Sequence, residues 1–340
     1  MGLKEARLYE KENAKVRCNV CAHRCSIPEG GYGICRTRQN RGGKLYTLIY
    51  GCVSSAHTDP VEKKPLFHFF PGSLAFSLGT VSCNFRCRHC QNWSISTAKP
   101  GDFCTAETEM SPEEVVSRAK REGCDGIAWT YNEPTIWFEY AYDCAKLAKR
   151  AGLYTVFVTN GFLTEEALNE VAPFLDAANV DVKAFSEGFY RKVCGARLKP
   201  VLETCERMLE RGVHLELTYL VIPGYNDSDE EIGRFSEWVV AGLDASVPVH
   251  FSAFYPAYKM LEVPPTSVAG LERAHEIAKA AGVEYVYLGN VPGHEYENTF
   301  CPECGELLVE RSGRRDRLRI SGPEPKCPRP GCGKSLNIRL

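Results

Sequence analysis

An α/β fold is expected, its parallel strands curling into a partial (β/α)6, TIM-like barrel, with small cysteine-rich metal modules at either end. Three observations predict it. From residue 73 to about 291, strand-like apolar runs alternate with amphipathic, helix-like stretches. Cap and turn residues stand at the boundaries between them. The distinctive polar motifs fall where strand-like runs end, the end of a parallel barrel at which chemistry collects. The chain divides accordingly into a four-cysteine metal-binding module at 1–50, the barrel at 51–292, and a zinc-ribbon-like module at 293–340.

Strands are expected at 74–81, 126–131, 154–159, 179–184, 214–222 and 249–255, with a further run from Glu284 to Leu288. Ser111 caps a helix that begins Pro112-Glu113-Glu114, and Asp227-Ser228 precede Glu230-Glu231 in the same way. Gly123, Gly152, Gly212, Gly242 and Gly282 close helices. Residues 41–72 read as an irregular or hairpin-like lead-in, with Leu45, Tyr46, Leu48, Ile49 and Tyr50 strand-like and Pro60, Pro65 and Pro71 as breakers. The charge-dense stretch from Asp59 to His68 carries no legible function. It is expected to pack across the barrel bottom or against the N-terminal metal loop.

Directly after the first barrel strand come Cys83, Cys87 and Cys90, spaced C-x3-C-x2-C. Three thiolates in one short loop imply a metal cluster. A 4Fe-4S cubane takes one ligand per iron, so three cysteines leave one iron open to something other than protein. A structural zinc site would want a fourth nearby ligand, and Gln91-Asn92-Trp93 does not continue the bacterial ferredoxin pattern. Half of a zinc or electron-transfer site is the bland alternative. The run resembles the signature of the radical S-adenosylmethionine (SAM) superfamily, which implies SAM chelating the open iron and His89, just before the last cysteine, lying near the adenine.

Cys18, Cys21, Cys25 and Cys35 can close a second site, the glycines at 30, 31 and 33 permitting a tight loop and Arg17, Arg24, Arg36 and Arg38 offsetting thiolate charge. Zinc and an auxiliary iron-sulfur cluster both fit that spacing. His23 reads as a surface residue. At the other end, Cys301, Cys304, Cys327 and Cys332 form the two knuckles of a zinc ribbon, with rubredoxin-type iron as the alternative. Arg311, Arg314, Arg315, Arg317 and Arg319 between them read as a solvated face, or as a dock for an acidic protein.

Other motifs have both a structural and a functional reading. Glu133-Pro134, in the run Tyr131-Asn132-Glu133-Pro134, suits a helix cap. The superfamily usually has Gly-Gly-Glu-Pro there, and the resemblance implies contact with the SAM amino group. Asp181 and Lys183 lie on one face of a strand, where two charges inside a barrel must pair with each other or with a ligand. The resemblance to glycyl-radical activating enzymes implies contact with the SAM carboxylate region. Those enzymes have Asp before Thr-Asn-Gly; this chain has Val158 before Thr159-Asn160-Gly161, against their bound monovalent cation. Leu220 and Ile222 suit core packing or an adenine sandwich. Glu216 and Thr218 face inward if Asp181 and Lys183 do. His250 reads as a satisfied core group, or by resemblance as a SAM contact.

With Tyr46, Glu62-Lys63-Lys64-Pro65-Leu66, Cys83 to Cys90, Gln91-Asn92-Trp93, Tyr131 to Pro134, Gly289-Asn290-Val291-Pro292-Gly293-His294 and the terminal knuckles, the chain resembles the AmmeMemoRadiSam-system radical SAM enzymes over essentially its whole length. A broader resemblance to pyruvate formate-lyase activating enzymes covers mainly 70–260. These resemblances imply a low-potential electron donor of flavodoxin or ferredoxin type, and a protein substrate or Memo-like and AMMECR-type partners. An activase for a glycyl-radical enzyme and a non-catalytic iron-sulfur interaction protein are the competing readings.

With 41 basic against 43 acidic residues, nothing points to nucleic acid or an anionic membrane, and the apolar runs are too short and too interrupted to span a bilayer. The N-terminal residues lack an apolar signal segment, so a cytoplasmic protein is expected. Eleven of the seventeen cysteines fall into the three clusters, so the thiols are expected to stay reduced, in a low-oxygen setting. Cys52, Cys104, Cys124, Cys144, Cys194 and Cys205 read mostly as buried small hydrophobes. Cys194 has a second reading, as a hydrogen-atom donor or ligand exposed to the SAM cavity.

Overall fold

The computed structural model describes residues 2–311 and 316–340. Its centre is one eight-stranded sheet. β1 (Ser55–Pro60) pairs antiparallel with β2 (Leu74–Gly79). From β2 onward the strands run parallel in sequence order: β3 (Gly126–Trp129), β4 (Tyr154–Thr159), β5 (Ala177–Asp181), β6 (His214–Val221), β7 (Val249–Ala253) and β8 (Val286–Gly289). Parallel neighbours require crossovers, and helices supply them: α1 (Pro112–Arg121), α2 (Phe138–Arg150), α3 (Glu165–Val171), α4 (Lys199–Glu210), α5 (Asp229–Trp238) and α6 (Val268–Ala280). Six strand-helix units followed by a seventh parallel strand match the expected partial barrel.

The caps form as the sequence implies. Ser111 accepts from Glu114 N at 3.1 Å and Ser228 from Glu231 N at 3.3 Å. Gly123, Gly152, Gly212 and Gly282 follow helices with positive φ, whereas Gly242 lies inside a wide helical turn, Val239–Leu243. The layer between sheet and helices is filled by buried side chains such as Trp129, Phe157, Leu217 and Phe251. Gly126 has no substitute here: a Cβ would stand 1.9 Å from the Tyr154 ring.

Before the barrel stand two small antiparallel sheets. One joins Gly2–Glu5, Lys44–Tyr50 and Arg38–Arg41; the other joins Tyr9–Glu12, Lys15–Cys18 and Ser26–Pro28. Arg38 and Glu139, both buried, fork together at 2.8 and 2.9 Å and tie the first of these sheets to α2.

The stretch after β1 packs across the barrel bottom, as expected. Phe67 N and His68 N donate to Glu216 at 3.0 and 2.7 Å, and Phe69 packs on Tyr154 and His214. The C-terminal strands Thr299–Phe300, Leu307–Glu310 and Arg317–Leu318 cover this end of the barrel. Arg339 N donates to His68 O, Phe70 N donates to Arg339 O, and His68 Nδ1 lies 2.7 Å from Asn337 O. Arg311 departs from the solvated-face reading: it is buried, donating to Phe67 O and Thr299 Oγ1. Arg317 and Arg319 do lie at the surface, beside Glu310. Arg314 and Arg315 lie outside the described residues.

Cys52 and Cys104 form a disulfide across 52 residues, which corrects the expectation that the thiols outside the clusters stay reduced. Pairing requires only that two Cα atoms come within disulfide reach, here 5.4 Å, and no sequence spacing announces that. Cys124, Cys144, Cys194 and Cys205 are buried and free.

Candidate active site

Beyond the end of β2, the loop carrying Cys83, Cys87 and Cys90 closes over the C-terminal mouth of the barrel and lines a cavity of about 280 Å³. His89, Tyr131, Asn132, Asn160, Asp181 and Lys183 share that lining. The sequence therefore located its principal wall.

Each wall is held by hydrogen bonds within the site. Asn160 donates to Asn84 Oδ1 at 2.8 Å, and its own Oδ1 accepts from Phe162 N. Asn132 accepts from Thr80 N and donates to Ser82 O, which fixes the approach to the cysteine loop. Lys183 Nζ stands 2.7 Å from Asp181 Oδ2. Burial disfavours the charged ammonium, but Asp181 and the Cys87 sulfur outweigh it and hold the Lys183 pKa above its usual value. Neighbouring Thr218, in register with Asp181, reaches Asn179 Oδ1 at 2.9 Å.

Three residues expected at the cofactor stand behind the wall instead. Glu133 is fully buried and accepts from Thr135 N, Thr135 Oγ1, Thr159 Oγ1 and Asn160 N. Its helix-cap reading is correct, and its carboxylate, with Thr159, positions the Asn160 loop rather than facing the cavity. Burial raises its pKa despite these donors. His250 is likewise spent elsewhere: it lies 2.7 Å from Glu216 Oε2, beneath the cavity floor, so the SAM-contact reading is corrected to a satisfied core group. Glu216, held by His214, His250 and two backbone amides, stays well below the usual carboxylate range even though burial opposes this.

Cys194 keeps its reading as a buried cysteine, and only its cavity reading is corrected. It is fully buried in the helical turn Tyr190–Cys194, outside the cavity lining, and neighbours Cys87. The adjacent Cys194 side chain, together with burial, pushes the Cys87 thiol well up.

Tyr131 is an expected site residue, but its backbone conformation and the residues that support it were not legible. Tyr131 adopts φ +69°, the left-handed conformation natural to glycine, and its hydroxyl donates to Asp59 Oδ2 at 2.8 Å. Asp59 also accepts from Lys64 at 2.8 Å, so the charged stretch after β1 buttresses this loop, and Pro65 joins the cavity wall. Phe85, Gln91, Asn92, Ser96, Thr218, Leu220, Ser252 and Asn290 complete the lining. Ser252, an isolated polar residue on β7, gives no periodic or spacing signal.

The donor set suits the expected groups. Three half-buried thiols border the cavity, while two buried polar atoms, His89 Nδ1 and Asn84 Nδ2, lack a partner within the protein. Burial lowers the His89 pKa to about 3, keeping the imidazole neutral.

Comparison with known proteins agrees with this geometry. Residues 78–236 match the Radical SAM superfamily model. An uncharacterized protein of Methanocaldococcus jannaschii is 46% identical over 310 residues, covering 91% of this chain and 92% of that one. The pyruvate formate-lyase 1-activating enzyme of Escherichia coli strain K12 is 22% identical over 218 residues, covering 60% and 88%. Streptococcus suis SuiB, solved bound to S-adenosylmethionine, superposes with a TM-score of 0.50 at 13% identity, over 68% of this chain and 55% of that one; this likeness shows the fold alone.

The chain belongs to the radical SAM superfamily and is a radical SAM enzyme. Within the superfamily it is a distant homologue of the pyruvate formate-lyase activating enzymes.

At the far end of the molecule, Cys301, Cys304, Cys327 and Cys332 bring their sulfurs within 4.8 Å of one another. Sulfur pairs at 3.7 and 3.5 Å approach the separation of about 3.8 Å set by a tetrahedral ion with Zn–S bonds of ~2.3 Å. This quartet fits one metal ion.

Proposed function

We propose that Cys83, Cys87 and Cys90 hold a 4Fe-4S cluster whose fourth iron binds SAM inside the described cavity, for hydrogen-atom abstraction from a substrate. The observation that carries this reading is the three-thiol loop standing over a cavity that also presents Asp181, Lys183, Asn132 and Asn160. When bound, the cluster supplies the electron that cleaves SAM to methionine and a 5′-deoxyadenosyl radical. The chain's own residues do the rest. The Lys183 ammonium and the Asp181 carboxylate can meet the two charged ends of the SAM amino acid, and neutral His89 can lie against its adenine. Glu133 and Thr159 act at one remove, fixing the Asn160 loop, while the buried floor around Glu216 keeps water from the cavity.

In this reading 1–50 and 293–340 are separate metal modules around the barrel at 51–292, the C-terminal one holding structural zinc. The motif likeness to AmmeMemoRadiSam-system enzymes supports a protein substrate or Memo-like and AMMECR-type partners, with a flavodoxin- or ferredoxin-type donor. The clustered thiols suit a reducing cytoplasm.

The activating-enzyme homologues favour a second reading, abstraction from a glycine of a partner enzyme. Anaerobic reconstitution, reduction and SAM addition test the first: Cys87→Ala should abolish 5′-deoxyadenosine formation, and formation at the wild-type rate would reject it. A persistent glycyl radical in a co-incubated glycyl-radical enzyme, read by electron paramagnetic resonance, would establish the second.

A further inference from the structure

The two terminal cysteine quartets look alike in sequence, yet the structure spaces them differently. In the C-terminal quartet all four sulfurs lie within 4.8 Å, the span of a single tetrahedral ion. Among the described residues no other group of three or more His, Cys, Asp or Glu ligand atoms is so close, and Cys18, Cys21, Cys25 and Cys35 are all described. These four thiols are nevertheless free and line one small void, walled by Val20, Ile27 and Ile136. Thiols that face a common centre from wider separations suit a polynuclear core, in which each sulfur binds a different iron.

The surroundings agree with ligation. Ile34 N lies 3.5 Å from Cys25 Sγ and Thr37 Oγ1 donates to Cys35 Sγ at 3.1 Å, donors of the kind that stabilise cluster thiolates. Both sulfurs lie beside the Gly33 backbone, where a Cβ would meet Cys35 Sγ at 3.6 Å and Cys25 Sγ at 3.8 Å. Of the four arginines flanking the motif, Arg17 and Arg24 are engaged by Glu12 and Glu166, and Arg38 is the one that lines the void. This loop also abuts the first cysteine loop. Ser82 Oγ donates to Cys35 O at 2.6 Å, His23 Nε2 lies 2.9 Å from Asn84 O, and Arg86 bonds Ile34 O. His23 is thus half-buried between the two loops rather than free at the surface.

We propose that Cys18, Cys21, Cys25 and Cys35 hold a second iron-sulfur cluster of cubane type, not a mononuclear zinc, seated against the loop of the first. The assignment does not depend on the SAM reading of Cys83, Cys87 and Cys90.

The full chain, reconstituted anaerobically with ferrous iron, sulfide and zinc, tests it by acid-labile sulfide, which a mononuclear site never contains. Wild type should carry about eight sulfides, and the Cys83→Ala/Cys87→Ala/Cys90→Ala variant about four, with the Mössbauer signature of a cubane. Adding Cys25→Ala and Cys35→Ala should remove the remainder. About four sulfides in wild type that all vanish in the triple variant would overturn the proposal, as would a second equivalent of zinc in that variant. Sulfide that survives the triple variant supports it even if the first site proves empty.

Discussion

Asp181 and Lys183 face the same cavity two residues apart, their charged atoms 2.7 Å from one another, with Asp181 at the last position of β5 and Lys183 just beyond it. Alternation along an extended chain brings them together. The pair is 30% and 17% exposed, so its mutual attraction is screened and contributes about 1 kcal/mol or less. A pair so placed has more to do with a ligand than with folding.

Lys183→Met should therefore leave the denaturation midpoint nearly unchanged while weakening SAM binding to the reconstituted enzyme by about tenfold or more, the loss of one charge-assisted contact of ~1.4 kcal/mol. Equilibrium titration with SAM decides it. Unchanged affinity would remove Lys183 from the binding site.

Tyr131 and Gly79 form a matched pair. A Cβ on Gly79 would stand 2.9 Å from Tyr131 Cδ2 and 3.2 Å from Ser54 Oγ. Gly79→Ala should destabilise the fold by about 1–3 kcal/mol and shift the Asn132 loop. Tyr131→Gly, which restores the residue common in the superfamily and removes the ring, should rescue part of that loss in the double variant. Additive destabilisation would show that the two residues are not coupled.

His68 sets a pH dependence. It is fully buried between Tyr287 Oη and Asn337 O, and burial lowers its pKa to about 3 from 6.5. The folded state then stays neutral while the unfolded chain takes up a proton below pH 6.5. Stability is complete above that pH and declines as pH falls toward 3, by up to about 1.4 kcal/mol per pH unit from this one group. Comparing unfolding of wild type and His68→Gln at pH 7, 6 and 5 isolates the term. The variant should be less stable at pH 7 but lose less on acidification; parallel curves would reject the assignment.

The C-terminal quartet should carry about one zinc per chain. Cys304→Ala should lose it, and a strong chelator should lower the melting temperature of the whole chain, because Arg339 and Asn337 bond His68 and Phe70 at the barrel bottom. Metal analysis with calorimetry checks both. A full complement of zinc in Cys304→Ala would exclude the site.

Much of the architecture was present in the residue order. Local rules act over a few residues, so alternating apolar runs, Ser111 and Ser228 as caps, and the C-x3-C-x2-C spacing could be read directly. The same locality put Asp181 and Lys183 on one face and Cys83, Cys87 and Cys90 in one loop. What the sequence left open involves side chains brought together across the chain. Only folding decides that His250 is taken by Glu216 and Glu133 by the Asn160 loop, that Asp59 reaches Tyr131, that Cys52 meets Cys104, and that Cys194 lies beside Cys87 rather than in the cavity. It also decides the spacing that separates two similar quartets, because sulfur-to-sulfur distance depends on how each loop is packed and not on how many residues part its cysteines.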